Sequence, residues 1–265
     1  MGNPLTIADI LDRLYKPKKK EIIPTGFSKL DDILDGGFAK QEMIVIGGGT
    51  GVGKSFFAGQ MALSMAKKGY SAVYFSLELS AEMIVARMLG AEADIKPTRI
   101  LWGLLTEEEQ KRKEEAIANL MLLSDLLIIY DEVYQFGEIT AKIRQHKPEV
   151  VFIDFVQNVI VPGQNDEYSR LSLLSVSLQK LAKEMNTCII LLSQLSNRIA
   201  REGEDARYLE YKGAGTIAQV ADLGFWLLPG EDNDKVLALR KNRRGPSFKK
   251  INLRITEPGG KIIEL

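Results

Sequence analysis

Residues 48–55 read Gly48-Gly49-Thr50-Gly51-Val52-Gly53-Lys54-Ser55. Glycine, four residues, glycine, lysine and a hydroxyl make a complete phosphate-cradling loop. The glycines let the backbone fold into a nest whose N–H groups face a phosphate. Lys54 would reach the β- and γ-phosphates, and the Ser55 hydroxyl would hold Mg²⁺. The chemistry implied is binding of a nucleoside triphosphate with its magnesium. A merely glycine-rich turn would not require four defined residues at fixed spacing. The dinucleotide fingerprint Gly-x-Gly-x-x-Gly occurs in no register, which disfavours a nicotinamide or flavin site.

Three further polar residues stand where strands should end. Glu78 closes the apolar run Ala72-Val73-Tyr74-Phe75-Ser76-Leu77. Asp154 closes Val150-Val151-Phe152-Ile153, the Walker B form in which the aspartate holds the magnesium shell. Gln194 follows the run Cys188–Leu192 and Ser193, and could report on the γ-phosphate. In a parallel sheet the carboxyl ends of strands line the ligand crevice, so all three should face the loop at 48–55. There Glu78 could deprotonate an attacking water. It could equally be an acid favoured by the following helix dipole, and position alone does not separate the two.

The elements that must position these groups are legible as changes of period. Met43 to Ile46 reads as a buried strand, and helical spacing begins at Ser55 and stops at Gly69. Ser28 is expected to cap a short helix carrying Leu30, Ile33 and Leu34, which closes at Gly36-Gly37. Ser80 opens another helix, and Thr106-x-x-Glu109 is a capping box at the head of a charged helix within a helical insert, 92–125. Helices are expected at 136–145 and 168–185. Antiparallel-type strands are expected at 221–228, 235–240 and 248–255. Residues 196–216, rich in glycine and charge, read as a long loop, and such loops usually serve function. Strand–helix alternation with a terminal run of strands predicts an α/β fold. Its central sheet is mostly parallel and flanked by helices, with antiparallel strands at the C-terminal edge.

Composition narrows the classes. The 265 residues are 45% hydrophobic and 26% charged, enough for a sizeable core. Thirty-five basic and 35 acidic residues cancel, so any nucleic-acid surface must be local rather than global. The single cysteine, Cys188, lies in an apolar run and reads as a core thiol. The single histidine, His146, reads as a surface residue beside Lys147-Pro148. No signal-peptide pattern and no apolar run of membrane-spanning length occurs, and a cytoplasmic protein is expected. Residues 5–14 carry apolar side chains at helical spacing, followed by Pro17 and three lysines. That amphipathic helix has nothing local to bury against. It could pack on its own domain or dock on a neighbouring subunit.

Taken together, several short motifs resemble the RecA-like motor domain of DnaB-type replicative helicases over about residues 24–255. They are Thr25-Gly26-Phe27-x-x-Leu30-Asp31, the loop at 48–55, Phe75-Ser76-Leu77-Glu78, Ile153-Asp154-Phe155-Val156-Gln157, Leu192-Ser193-Gln194-Leu195-Ser196 and Lys241-Asn242-Arg243-Arg244-Gly245-Pro246. The resemblance implies a RecA-like P-loop NTPase at 21–265. Residues 1–20 resemble a linker helix and basic tether that docks on the adjacent subunit. It implies ATP and Mg²⁺ as cofactors, Glu78 as catalytic base, Arg87 near the nucleotide and Gln194 as sensor. Lys241 and Arg243 would reach the next subunit's γ-phosphate. Lys212, Gly213 and Gly215 resemble a loop that grips single-stranded DNA inside a hexameric ring. The family commonly carries a glutamate at the place of Gly213 and a more acidic segment around Ala218 and Val220. The activity implied is 5′–3′ helicase movement on single-stranded DNA, with a loader or primase as further partner. The alternative is a RecA- or KaiC-like regulatory or recombination ATPase that assembles without unwinding.

Overall fold

The computed structural model describes residues 5–15, 20–195 and 215–265. The loop at 48–55 hangs from β3 (Met43–Gly48), whose six residues are all buried. Such a run, apolar on both faces, suits the middle of a sheet covered on both sides. Among the described residues nine strands join in one sheet. Six are parallel: β8 (Leu223–Pro229), β3, β7 (Cys188–Gln194), β6 (Val150–Asp154), β4 (Ala72–Ser76) and β5 (Leu127–Tyr130), in that spatial order. On the far side of β8, the strands β9 (Lys235–Asn242), β10 (Lys250–Ile255) and β11 (Ile262–Glu264) run antiparallel. The short strands β1 (Ile22–Ile23) and β2 (Phe38–Ala39) pair separately. The α/β fold with a parallel centre and an antiparallel C-terminal edge is thus as expected.

Two details differ. The segment expected as the first antiparallel strand, β8, pairs parallel with β3 on one side and antiparallel with β9 on the other. Period-2 patterning does not encode the direction of a neighbour. Ser28 does not cap α2 (Ser28–Ile33); the N-cap is Phe27, and it has no side-chain cap. Instead the Glu264 carboxylate accepts from the backbone N–H of Lys29 and Leu30, at 2.9 and 3.0 Å. An anion from the far end of the chain thus satisfies donors that a local side chain would otherwise cover.

Side chains alternate through the sheet into two cores. Ile44, Ile46, Phe152 and Ile190 meet α3 (Lys54–Lys67) and α4 (Ala81–Ala93) through Phe57, Met61, Ile84 and Met88. Met43, Val45, Val151 and Ile189 meet α7 (Phe136–His146) and α8 (Glu167–Met185) through Ile139, Ile143, Leu171 and Leu178. Each fully buried aliphatic side chain contributes about 1.5–3 kcal/mol. The helical insert is α5 (Pro97–Trp102) and α6 (Glu107–Met121), and the Thr106/Glu109 capping box is formed. Cys188 is buried, as expected. His146 is half-buried rather than at the surface, and its Nε2 lies 2.7 Å from the Tyr130 hydroxyl. The N-terminal helix, α1 (Ile7–Tyr15), exposes Ile7, Leu11 and Leu14. Among the described residues no helix is long and apolar enough to cross a membrane.

Arg244, beside the residues singled out at 241 and 243, is structural. Its guanidinium pairs with the Glu42 carboxylate and donates to the carbonyls of Gly37 and Leu34, at 2.9 and 3.2 Å. Burial works to raise the Glu42 carboxyl, but Arg244 and Lys20 hold it below the usual range. Removing one member of such a pair leaves the other charge desolvated. Arg244→Ala is therefore expected to cost about 3 kcal/mol of stability, read as a lowered urea midpoint.

Candidate active site

Strand register brings the strand-end groups together. Gly48 pairs with Gln194, and Ser76 pairs with Asp154, while Ile153 pairs with Leu191, so β3 and β7 end together about two residues beyond the common end of β6 and β4. Between them opens a cleft of about 330 Å³. Thr50, Gly51, Gly53, Lys54, Ser55, Glu78, Arg87 and Gln194 line it, together with Phe56, Leu79 and Phe155.

The loop is held in shape by its own glycines. Gly51 and Gly53 adopt φ values of +76° and +106°, which residues with a Cβ rarely reach. Gly48 is required for space: a Cβ there would stand 2.9 Å from the Leu227 carbonyl oxygen and 2.7 Å from Val52 Cγ1. The Val52 side chain packs into the core, so only its backbone can serve the cleft. Gly49 contributes its carbonyl: Lys54 Nζ donates to the oxygens of Gly48 and Gly49, both at 3.0 Å. Burial lowers the Lys54 ammonium, and Asp154 and Glu78 pull it back up. A poorly hydrated cation at the N-terminus of α3 is suited to take a phosphate.

Opposite the loop stand two carboxylates of different character. Asp154 is buried, and its Oδ2 accepts from the Tyr74 hydroxyl at 2.8 Å. Its Oδ1 is buried and makes no hydrogen bond of good geometry, with the Ser55 hydroxyl close enough to Asp154 to act on its carboxyl. Burial pushes the carboxyl up, while the nearby Ser55 and Tyr74 hydroxyls pull it down. An orphaned carboxylate oxygen near Ser55, beneath a phosphate cradle, fits Mg²⁺. Magnesium is commonly held by one or two carboxylates plus substrate phosphates. Among the described residues no cluster of three or more His, Cys, Asp and Glu could cage a metal alone, so substrate phosphates and water would complete the shell. Glu78 is exposed to the cleft. The backbone on either side of it is pinned: Leu77 N–H donates to the Asp154 carbonyl, Asn158 Nδ2 donates to the Leu77 carbonyl, and Ser76 Oγ donates to the Leu79 carbonyl. Ser80 caps α4 by accepting from Met83 N–H, so Glu78 lies before the helix rather than in its first turn.

Gln194 donates through Nε2 to the Thr50 hydroxyl at 2.8 Å, which links the end of β7 to the phosphate loop. Arg87 projects from α4 with its guanidinium 4.2 Å from the centre of the Phe56 ring, a cation–π contact that presents it at the cleft.

Lys241 and Arg243 are not among the residues lining this cleft. They hold the C-terminal end of α9 (Gly215–Val220). Lys241 Nζ donates to the carbonyls of Ala218 and Gln219, both at 2.7 Å. Arg243 donates to the Gln219 carbonyl at 2.7 Å and pairs with Asp222 at 3.1 Å. Burial and the adjacent Arg243 push the Lys241 ammonium down to about 8, against the pull of Asp222. Of the three candidate DNA residues, Lys212 and Gly213 lie outside the described residues, and Gly215 begins α9. The sequence alone assigns no role to Tyr74, although a tyrosine inside a wholly buried strand signals a polar partner.

The family model for the DnaB-like helicase C terminal domain matches residues 22–258. The chain is 32% identical over 258 residues to "Replicative DNA helicase DnaC" of Bacillus subtilis (strain 168), covering 90% of this chain and 56% of that protein. It spans about half the length of the curated relatives it matches. Among solved structures, an isolated ATPase domain superposes with a TM-score of 0.86 at 23% identity, over 99% of this chain and 100% of that one. A DnaB-like replicative helicase, described with its interactions with primase, gives the same TM-score and identity over 99% of this chain and 68% of that one. These two likenesses establish the RecA-like fold.

Proposed function

Because the chain belongs to the DnaB-like helicase C terminal domain family, we propose that it is the ATP-driven motor of a ring-forming DNA helicase. The observation that carries this reading is the split of the site. The cleft gathers Lys54, Ser55, Glu78, Arg87 and Gln194 from one chain, while Lys241 and Arg243 stand outside it. A second chain would present that pair to the first chain's γ-phosphate, and a ring lets every subunit do so. The nucleotide proposed is ATP with Mg²⁺, which would supply neutralisation of the triphosphate's charge.

In this mechanism the loop amides and Lys54 bind and orient the triphosphate. Ser55 and Asp154 would hold the metal. Glu78 accepts the proton of the attacking water. Gln194, tied to Thr50, senses the γ-phosphate and relays its loss to the segment that follows β7. That segment contains Lys212 and Gly213, proposed with Gly215 to grip single-stranded DNA. Six copies of Lys212 converging on one axis would let a chain without net charge bind a phosphate backbone. The exposed apolar side of α1, within residues 1–20, is proposed to dock on the neighbouring subunit, with 21–265 as the motor. Movement is proposed to run 5′–3′, and a loader or a primase is proposed as a further partner. Opening duplex costs about 1.4 kcal/mol per stacked step, so hydrolysis must be coupled to movement of the gripping loop.

The test is the ATPase rate with and without single-stranded DNA, on protein whose mass is measured at the same concentration with ATP·Mg²⁺. A hexameric mass with DNA-stimulated hydrolysis is expected. A hexamer whose hydrolysis ignores DNA would instead favour the regulatory ATPase.

A further inference from the structure

We infer that Tyr74 is a positioning residue for Asp154, fixing one carboxylate oxygen so that the other is left for the metal. The inference rests on the nucleotide-site reading and adds to it a residue outside the family's short motifs. Tyr74 is fully buried in β4. Its ring stacks on Phe152, with centroids 5.5 Å apart and planes 16° from parallel. The stack sends the hydroxyl to Asp154 Oδ2 at 2.8 Å. A phenol against a carboxylate must donate, and the bond is charge-assisted. Asp154 Oδ1 is left buried without a hydrogen bond of good geometry, on a carboxylate that also has the Ser55 hydroxyl nearby. The two oxygens of a free carboxylate exchange by rotation about one bond. One held oxygen removes that freedom and presents a single acceptor in one place, as outer-shell partners of metal ligands do.

The contrary possibility is that Asp154 merely satisfies a buried phenol. The two directions differ in what phenylalanine does at this position. If Tyr74 serves Asp154, removing its hydroxyl loosens the metal. If Asp154 serves Tyr74, phenylalanine needs no partner and metal binding is unmoved.

The experiment titrates Mn²⁺ by electron paramagnetic resonance into the full chain saturated with ADP. The variants are Tyr74→Phe, Asp154→Ala and the two combined. Metal-free ADP binding and thermal melting are recorded for each, and titrations are made below the lowest melting transition. Tyr74→Phe is expected to weaken Mn²⁺ about tenfold. It should leave metal-free ADP affinity unchanged and have no further effect in the Asp154→Ala background. Tyr74→Leu, which also lacks the hydroxyl, must show the same loss and replaces the phenylalanine variant if that does not fold. Unchanged Mn²⁺ affinity, or an equal loss with and without Asp154, would overturn the inference. A parent chain that binds ADP but no Mn²⁺ would overturn it too, whereas one that binds neither would bring down the nucleotide-site reading itself.

Discussion

Glu78→Gln is expected to lower ATP turnover by about 10²–10⁴ while leaving ATP·Mg²⁺ affinity within about twofold, the signature of losing a general base. Glutamine keeps the size of the side chain and its capacity to hydrogen-bond a water, but it cannot take the proton. The geometry favours this role over the helix-dipole one. Glu78 lines the cleft and lies ahead of the Ser80 cap. The bonds at Ser76, Leu77 and Asn158 fix its backbone. An acid that served only the dipole of α4 would be worth about 0.3–1 kcal/mol of stability, and its loss would leave the rate alone. Single-turnover hydrolysis and binding of a fluorescent ATP analogue separate the two. A parental rate in the glutamine variant would remove Glu78 from the chemistry.

How much of this was legible in the sequence depends on how far apart the cooperating residues lie. The loop at 48–55 is contiguous, so its residue types and spacing alone point to phosphate binding. Glu78, Asp154 and Gln194 are scattered, yet each follows an apolar run, and the parallel-sheet rule puts such ends on one edge. What escaped is what only the folded chain brings together. Glu264 caps α2 from the other end of the sequence, where Ser28 looked the natural cap. The parallel pairing of β8 with β3 follows from strand order, which period-2 alternation does not contain. Tyr74 and Asp154 meet because register sets Tyr74 beside Phe152, two residues short of the aspartate. Arg243 and Arg244 are adjacent and chemically alike, and the fold places them differently: Arg244 is bound to Glu42 and the chain around Gly37, whereas Arg243 stays partly exposed.

That difference sharpens the second expectation. Arg243→Ala should cut turnover by about 10³–10⁵, as loss of an arginine finger does, with ATP binding spared. Such a fall alone does not prove the finger, because Arg243 also holds the Gln219 carbonyl and Asp222. If that capping were its whole purpose, removal would cost about 1 kcal/mol of stability and little rate. Mixing separates the cases. Lys54→Ala chains cannot bind the triphosphate productively, and Arg243→Ala chains cannot complete a neighbour's site. In a mixed ring, some interfaces join an intact Lys54 cleft to an intact Arg243 from the next chain. Partial recovery of hydrolysis on mixing two inactive proteins is therefore expected. A finger acting within its own chain would give none, since the chain with an intact cleft lacks the arginine. Undiminished hydrolysis by Arg243→Ala alone would sink the trans assignment at once. Arg244→Ala is the control for fold: it should lower the urea midpoint more than Arg243→Ala does, because its guanidinium is committed to a buried carboxylate rather than to an exposed helix end.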